Sequence, residues 1–356
     1  MKRLARIARN PWSRGILVLA VLAVAIAAIW WRGPDWNSVY HAFDSVSWRW
    51  VIIGILLNLL SVLARSLSWR LTIDQALPEP HPRFGQVFSA FGIGLLGNAV
   101  LPARAGEFAR VAVLRRHLPQ HGKGTSATLL GTVFAHRLFD LFPVAILCTW
   151  VLLTAKIPHW AVTSLIIFGL IGFVLLTIGL LFARSGEGRM HDGMGSMRAL
   201  MIMARQGLAV LRRPVPALGA ALFQCVGWLM QLFAVWAVMQ AFNLDLPLPA
   251  AGLVLVLMNV AIIFPLWPGN IGLLQAAVAL PLVQYGVPYS TGFAYGLVLQ
   301  AVEMSVGVGV GLIFLAREGL SLASLKTMEE EQAADETALV AKEQAESERA
   351  VSRAAG

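Results

Sequence analysis

Residues 98–110 read NAVLPARAGEFAR and follow directly on an apolar, glycine-containing run over 84–101. Arg104, Glu107 and Arg110 place three charges within seven residues at the end of a hydrophobic segment, where hydrocarbon would resist them most. The rest of the chain makes that setting real. Of its 356 residues 58% are hydrophobic and only 13% charged, with mean hydropathy +0.70, whereas soluble domains carry roughly 25% charged residues. The composition predicts an all-α polytopic membrane protein.

A helix needs about 20 largely apolar residues to cross the hydrocarbon core. The apolar runs lie at 15–31, 50–69, 84–101, 124–153, 159–183, 215–242, 248–284 in two pieces, and 288–316. The first follows Lys2, Arg3, Arg6, Arg9 and Arg14 and ends in Trp30, Trp31 and Arg32 rather than at small residues. It reads as a retained anchor behind a basic cytoplasmic N-terminus, residues 1–14. Basic loops stay on the cytoplasmic side, and two are strongly basic: 102–123, and 184–214 with its six arginines. The segment 243–287 has no lysine or arginine and belongs outside.

If 84–101 crossed the membrane completely, one of these basic loops would be exported. The run is therefore expected to enter from the cytoplasm, turn and return. In 248–284 the sequence FPLWPGNIG interrupts the run with Pro265, Pro268, Gly269 and Gly272, as Pro102 and Gly106 do in the first case. Proline lacks the amide a continuous helix needs and glycine weakens it, so two half-helices entering from outside are expected. Such broken backbone survives at membrane depth only where protein or water satisfies its polar groups. The two halves, about 50–153 and 215–316, then run in opposite directions as an inverted repeat with two re-entrant helical hairpins. The expected domain order is 1–14, a membrane domain over 15–318, and an acidic cytoplasmic tail over 319–356.

Interrupted helices at matching places in two halves point to a transporter's substrate site. Arg104, Glu107 and Arg110 recur at intervals of three, so neighbours share a helix face. A helix starting after Pro102 would aim free amides and Arg104 into the membrane as an anion site, with Asn98 beside it. An interfacial amphipathic helix touching lipid phosphates is the other reading of this stretch. Deeper still lie Arg137 and Asp140, spaced to pair with each other, and Glu303, which has no cation nearby in sequence. They line a polar route or form an ion pair locking helices together. Arg65 reads as a charge able to snorkel from a segment end.

No metal or cofactor motif is visible, and no catalytic residue is assigned. Cys148 and Cys225 lie in apolar runs without ligand-spaced partners, and none of the histidines forms an HExxH pattern. The net charge of +9 reports orientation and contact with anionic headgroups rather than nucleic acid. The glycine pairs Gly292/Gly296 and Gly307/Gly311 have the spacing of close helix packing.

NAVLPARAGEFAR from Asn98, HRLFD from His136 and PLWPGNIGLLQ from Pro265 together resemble the membrane domain of the lysylphosphatidylglycerol synthase and flippase family. The resemblance covers about residues 15–318 and implies lipid translocation between leaflets. Carried over by position, it marks Asn98, Pro102, Arg104, Gly106, Glu107, Arg110, Arg137, Asp140, Pro265, Pro268, Gly269 and Gly272. Where the family usually has a glutamate, this chain has Gln275. No aminoacyltransferase domain follows the membrane part, so synthesis of an aminoacylated lipid is not expected.

The expected function is a lipid flippase or transporter of the bacterial inner membrane, multi-pass, with both termini cytoplasmic. It would move a phospholipid or other amphiphile with a phosphate or polar head, using Asn98, Arg104, Glu107, Arg110, Arg137, Asp140, Gln275 and Glu303. Two alternatives stand beside it. One is a membrane-embedded transferase with Glu107 or Asp140 as general base. The other is a non-transporting partner of a lipid-modifying enzyme docked on 184–214, and self-association is open in each case.

Overall fold

The computed structural model describes residues 34–100, 106–119, 125–158, 209–263 and 270–321, with isolated positions between 162 and 177 and at 324 and 327. The basic N-terminus, the 15–31 run, Pro102, Arg104, most of the 184–214 segment, Pro265, Pro268, Gly269 and most of the tail lie outside the described residues. Among those described the ordered elements are all helical: α1 (Trp36–Ala42), α2 (Trp48–Ala76), α3 (Phe84–Val100), α4 (Gly106–Arg116), α5 (Thr125–Thr154), α6 (Pro214–Ala241), α7 (Leu248–Ile263), α8 (Leu273–Leu282) and α9 (Tyr289–Arg317).

Four of these, α2, α5, α6 and α9, are long and apolar enough to cross a membrane. The chain is a polytopic membrane protein. Ile52, Leu56 and Leu60 recur every four residues on the exposed side of α2, and Val215, Leu218, Leu222, Val226 and Leu229 do the same on α6. Such stripes would be a liability in water and are what acyl chains solvate. The helix ends follow the apolar runs closely, with one exception. The α2 helix continues seven residues beyond its run, because Arg70 and Asp74 pair at 3.6 Å one turn apart. Pro214 opens α6 at a position where the missing amide costs nothing.

Helices α2 and α6 form the spine. The Ser47 amide donates to the Ala241 carbonyl, a Cβ on Gly54 would approach the Ala234 carbonyl, one on Gly227 would approach the Ser61 carbonyl, and the Ser68 hydroxyl donates to the Ala220 carbonyl. The helices are therefore antiparallel, with Ser47, Gly54, Ser61 and Ser68 meeting Ala241, Ala234, Gly227 and Ala220. Each set repeats every seven residues, and each member is small. Without water to drive association, such a seam gains by close backbone approach and dispersion contact. Replacing Ser61 with leucine is expected to separate this seam and lower the melting temperature of the purified protein, measured by loss of the monodisperse chromatographic peak. The same change at exposed Leu60, to isoleucine, should leave it unaltered.

Each half carries a pair of short antiparallel helices between its long ones. In α3–α4, Gly94 faces Gly106 and Arg110, while Gly97 faces Gly106 and Ala109. Both free ends of the pair meet the end of α9, through Phe88 on Phe314 and Ser89 on Glu318 from α3, and His117 on Glu318 just after α4. In α7–α8, Gly252 faces Trp150 and Val151, and Tyr285, just beyond α8, bonds to Lys156, so its free ends meet the end of α5. The packing is unchanged on exchanging α2 with α6, α3 with α7, α4 with α8 and α5 with α9: α3 on α9 answers α7 on α5, and α4 on α5 answers α8 on α9. Gly292 and Gly296 bring α9 against Ala279 and Gln275 of α8, and Gly311 brings it against Leu96 of α3.

Candidate functional site

The long helices bring their ionisable residues to the same depth. Arg137 and Asp140 lie near the middle of α5, Glu303 at the middle of α9, and Arg65 about one turn from the middle of α2. The tip of the α3–α4 pair reaches this level and delivers Glu107 in the first turn of α4. A carboxylate there is favoured by the partial positive charge of the helix start.

Two linked clusters result. In the first, Arg137 forks between the Glu107 carboxylate and Asp140, the latter at 3.3 Å, while Arg110 pairs with Glu107 at 2.5 Å. Arg110 is buried between two rings, 4.7 Å from the centre of Trp69 and 5.4 Å from that of Phe91. The Trp69 indole is itself held by a bond to the Thr132 hydroxyl at 3.1 Å. Asp140 also accepts from the Gln224 amide and from Trp228 Nε1 at 2.8 Å.

In the second cluster, Arg65 donates to Gln231 Oε1 at 2.5 Å, and Gln231 Nε2 donates to Glu303 at 2.9 Å. The Trp228 ring joins the two, lying 5.1 Å under Arg65 while its N–H serves Asp140. Three arginines and three carboxylates thus sit together at mid-bundle. An isolated charge at the bilayer centre costs about 2.5–3.5 kcal/mol on insertion scales, which explains why each described charge here has a polar partner. Replacing Trp228 with phenylalanine removes one hydrogen bond to an ionised group and should destabilise the protein by about 1.5–3 kcal/mol, seen as a lower thermal midpoint.

Arg137 differs from its neighbours. Its side chain remains 46% accessible, one turn from Phe134, which is 51% accessible, whereas Arg110 is only 4% accessible. An open guanidinium therefore borders open apolar surface at mid-depth.

The site residues expected from sequence divide into three groups. Glu107, Arg110, Arg137 and Asp140 are brought into direct contact, and Glu303 joins through Gln231 and the Arg65–Trp228 contact. Gln275 is apart: fully buried, it donates to Gln300 at 2.6 Å and accepts from the Gly272 amide at 2.6 Å, capping α8. Asn98 packs over Gly106 within the α3–α4 pair rather than against the charges. Arg104 lies outside the described residues.

Four residues that sequence reasoning left out complete the site: Arg65, Gln224, Trp228 and Gln231. Arg65 does not snorkel to a surface but turns inward, because Gln231 and the Trp228 face offer it partners. Gln224 and Gln231 were readable as two amides seven apart in an apolar run, on the helix face that also carries the small-residue seam.

These features define a multi-pass membrane protein with a charged centre built from two equivalent halves. Over residues 16–311 the chain matches the family described as the lysylphosphatidylglycerol synthase TM region, and it belongs to that family. It is 24% identical over 319 residues to a UPF0104 membrane protein of Methanothermobacter thermautotrophicus, covering 83% of this chain and 90% of the relative. A UPF0104 membrane protein of Pyrococcus horikoshii is 24% identical over 165 residues, 46% of this chain and 47% of that one. No solved structure matches it.

Proposed function

We propose that this protein carries an anionic, phosphate-headed lipid between the leaflets of the cytoplasmic membrane without altering it covalently. The observation that carries the reading is the accessible Arg137 guanidinium at mid-bundle beside accessible apolar surface. An amphiphile is its chemical complement, with the head on the cation and the chains along the apolar side.

Further support comes from the exchange symmetry of the packing combined with the antiparallel α2 and α6. Two halves so related form an inverted repeat, and α3–α4 and α7–α8 act as hairpins dipping from opposite faces. The end of the bundle bearing Arg115 and Arg116 faces the cytoplasm on this reading. The halves are not chemically equal. Where the first half joins hairpin to long helix through Glu107 and Arg137, the second uses the neutral pair Gln275 and Gln300. No carboxylate stands at position 275 to balance a cationic group, which favours a head recognised through its phosphate alone.

Purified protein in liposomes containing a headgroup-labelled phosphatidylglycerol tests this. Time-dependent change in headgroup accessibility, with the lipid chemically unchanged, is the expected result. A new lipid species would instead establish the transferase, and neither change would leave the role of partner to a lipid-modifying enzyme docked on 184–214. Either outcome overturns transport.

A further inference from the structure

Two ties join the halves at opposite ends of the bundle, and the exchange of halves converts one into the other. At one end His117, just beyond α4, pairs through Nε2 with Glu318 at 3.2 Å, and Ser89 of α3 donates to the same carboxylate at 2.8 Å. His117 Nδ1 lies 3.1 Å from the Val113 carbonyl. Both acceptors are oxygens without hydrogens, so both bonds form together only when the ring carries both protons. At the other end, Tyr285, just beyond α8, accepts from the Lys156 amide at 2.8 Å, and the Lys156 ammonium lies 5.9 Å from the Tyr285 ring.

The antiparallel spine fixes where these ties are. Ser47 and Ala241 mark the end that holds Tyr285 and Lys156, and Ser68 and Ala220 lie toward the end that holds His117 and Glu318. In each tie one partner follows the short helix pair of one half, and the other follows the last long helix of the other half. Between the two ends the halves meet along small residues with no large side chains interlocked. Rocking about that seam separates the partners at one end and brings them together at the other.

We propose that His117–Glu318 and Tyr285–Lys156 are the paired gates through which the Arg137 site communicates with either face of the membrane. The proposal rests on the transport reading for its purpose, but not for its test. Part-exposed ion pairs and cation–ring contacts are weak, and weak closures can be broken and remade with each cycle. A change that weakens one gate shifts the population toward opening at that end and away from opening at the other.

The experiment places cysteine at the site, Arg137→Cys, in a chain carrying Cys148→Ala and Cys225→Ala, and measures labelling in sealed proteoliposomes by a membrane-impermeant maleimide. Sidedness is set by adding quencher to one compartment. Glu318→Gln should raise labelling about threefold from the face bearing His117 and lower it from the opposite face. Tyr285→Ala should do the reverse. His117→Ala serves as a second variant of the first gate should Glu318→Gln not assemble. Labelling changed at neither face, or changed at the same face by both gates, overturns the proposal. Wild-type protein that moves no labelled lipid would sink the transport reading while leaving this readout intact.

Discussion

Replacing Arg137 with glutamine is expected to stop lipid movement altogether and to lower stability. The guanidinium bridges Glu107 on the α3–α4 pair and Asp140 on its own helix, so its loss removes the cation shared by two carboxylates at mid-bundle. Breaking a buried pair costs about 3–5 kcal/mol, but nearly half of this side chain is accessible, so about 1–3 kcal/mol is the expected loss of stability. Arg137→Lys keeps the charge and loses the fork that holds both partners. It should recover most of the thermal stability and little of the transport. Combining Arg137→Gln with Glu107→Gln removes both signs at once and should restore stability beyond either single change, again without transport. Melting curves and liposome assays on the four proteins separate the two roles. A fully active Arg137→Gln variant would end the proposal that this group receives the head.

The second large effect is expected at Gly106. A Cβ there would fall 1.9 Å from the Gly94 carbonyl oxygen and 2.5 Å from the Asn98 amide nitrogen. Both obstacles are backbone, which cannot rotate away as a side chain can. Overpacking ordinarily costs about 1–3 kcal/mol, and Gly106→Ala should lie at or above the top of that range because the helix pair must open to admit it. Opening the pair also withdraws Glu107 from Arg137, so transport should fail even where the protein still purifies. Gly309→Ala is the control. Its Cβ would meet nothing within 4 Å, so melting temperature and transport should both remain at wild-type values.

Much of this molecule is legible in the chain because a bilayer demands so much of it. Every backbone amide at depth needs an internal partner, so apolar runs become helices, and their ends can be read from where polarity resumes. The proline and glycine interruptions marked both short helix pairs for the same reason. A further signal was present in the first half and the second: Pro102 to Gly106 reads PARAG and Pro268 to Gly272 reads PGNIG, a shared Pro-x-x-x-Gly at equivalent places. The heptad of small residues on α2 and α6 was also available. It is less conspicuous than charge, since serine, glycine and alanine occur in most membrane helices.

Charge alone did not reveal which polar residues meet. Arg137 and Asp140 could be paired from their spacing, because three residues on a helix are neighbours whatever the fold. Glu107 is thirty residues from Arg137, and Gln231 is seventy-two from Glu303, so local periodicity carries no information on those contacts. Arg65 illustrates the difference. Its sequence position allowed escape toward a membrane surface, and only the antiparallel register of α2 with α6 sets Gln231 and Trp228 beside it. Gln275 shows the converse, for a residue matched to a charged family position is turned into the packing between α8 and α9.

The chain by itself therefore determined the helices, their interruptions and the identity of most charges at depth, because hydrocarbon penalises each unpaired polar group wherever it stands. Tertiary structure decided which of those charges satisfy one another and left Arg137 open. That choice depends on helix register and on the close approach of Gly94, Gly97 and Gly106, which are distances between segments rather than properties of any one of them.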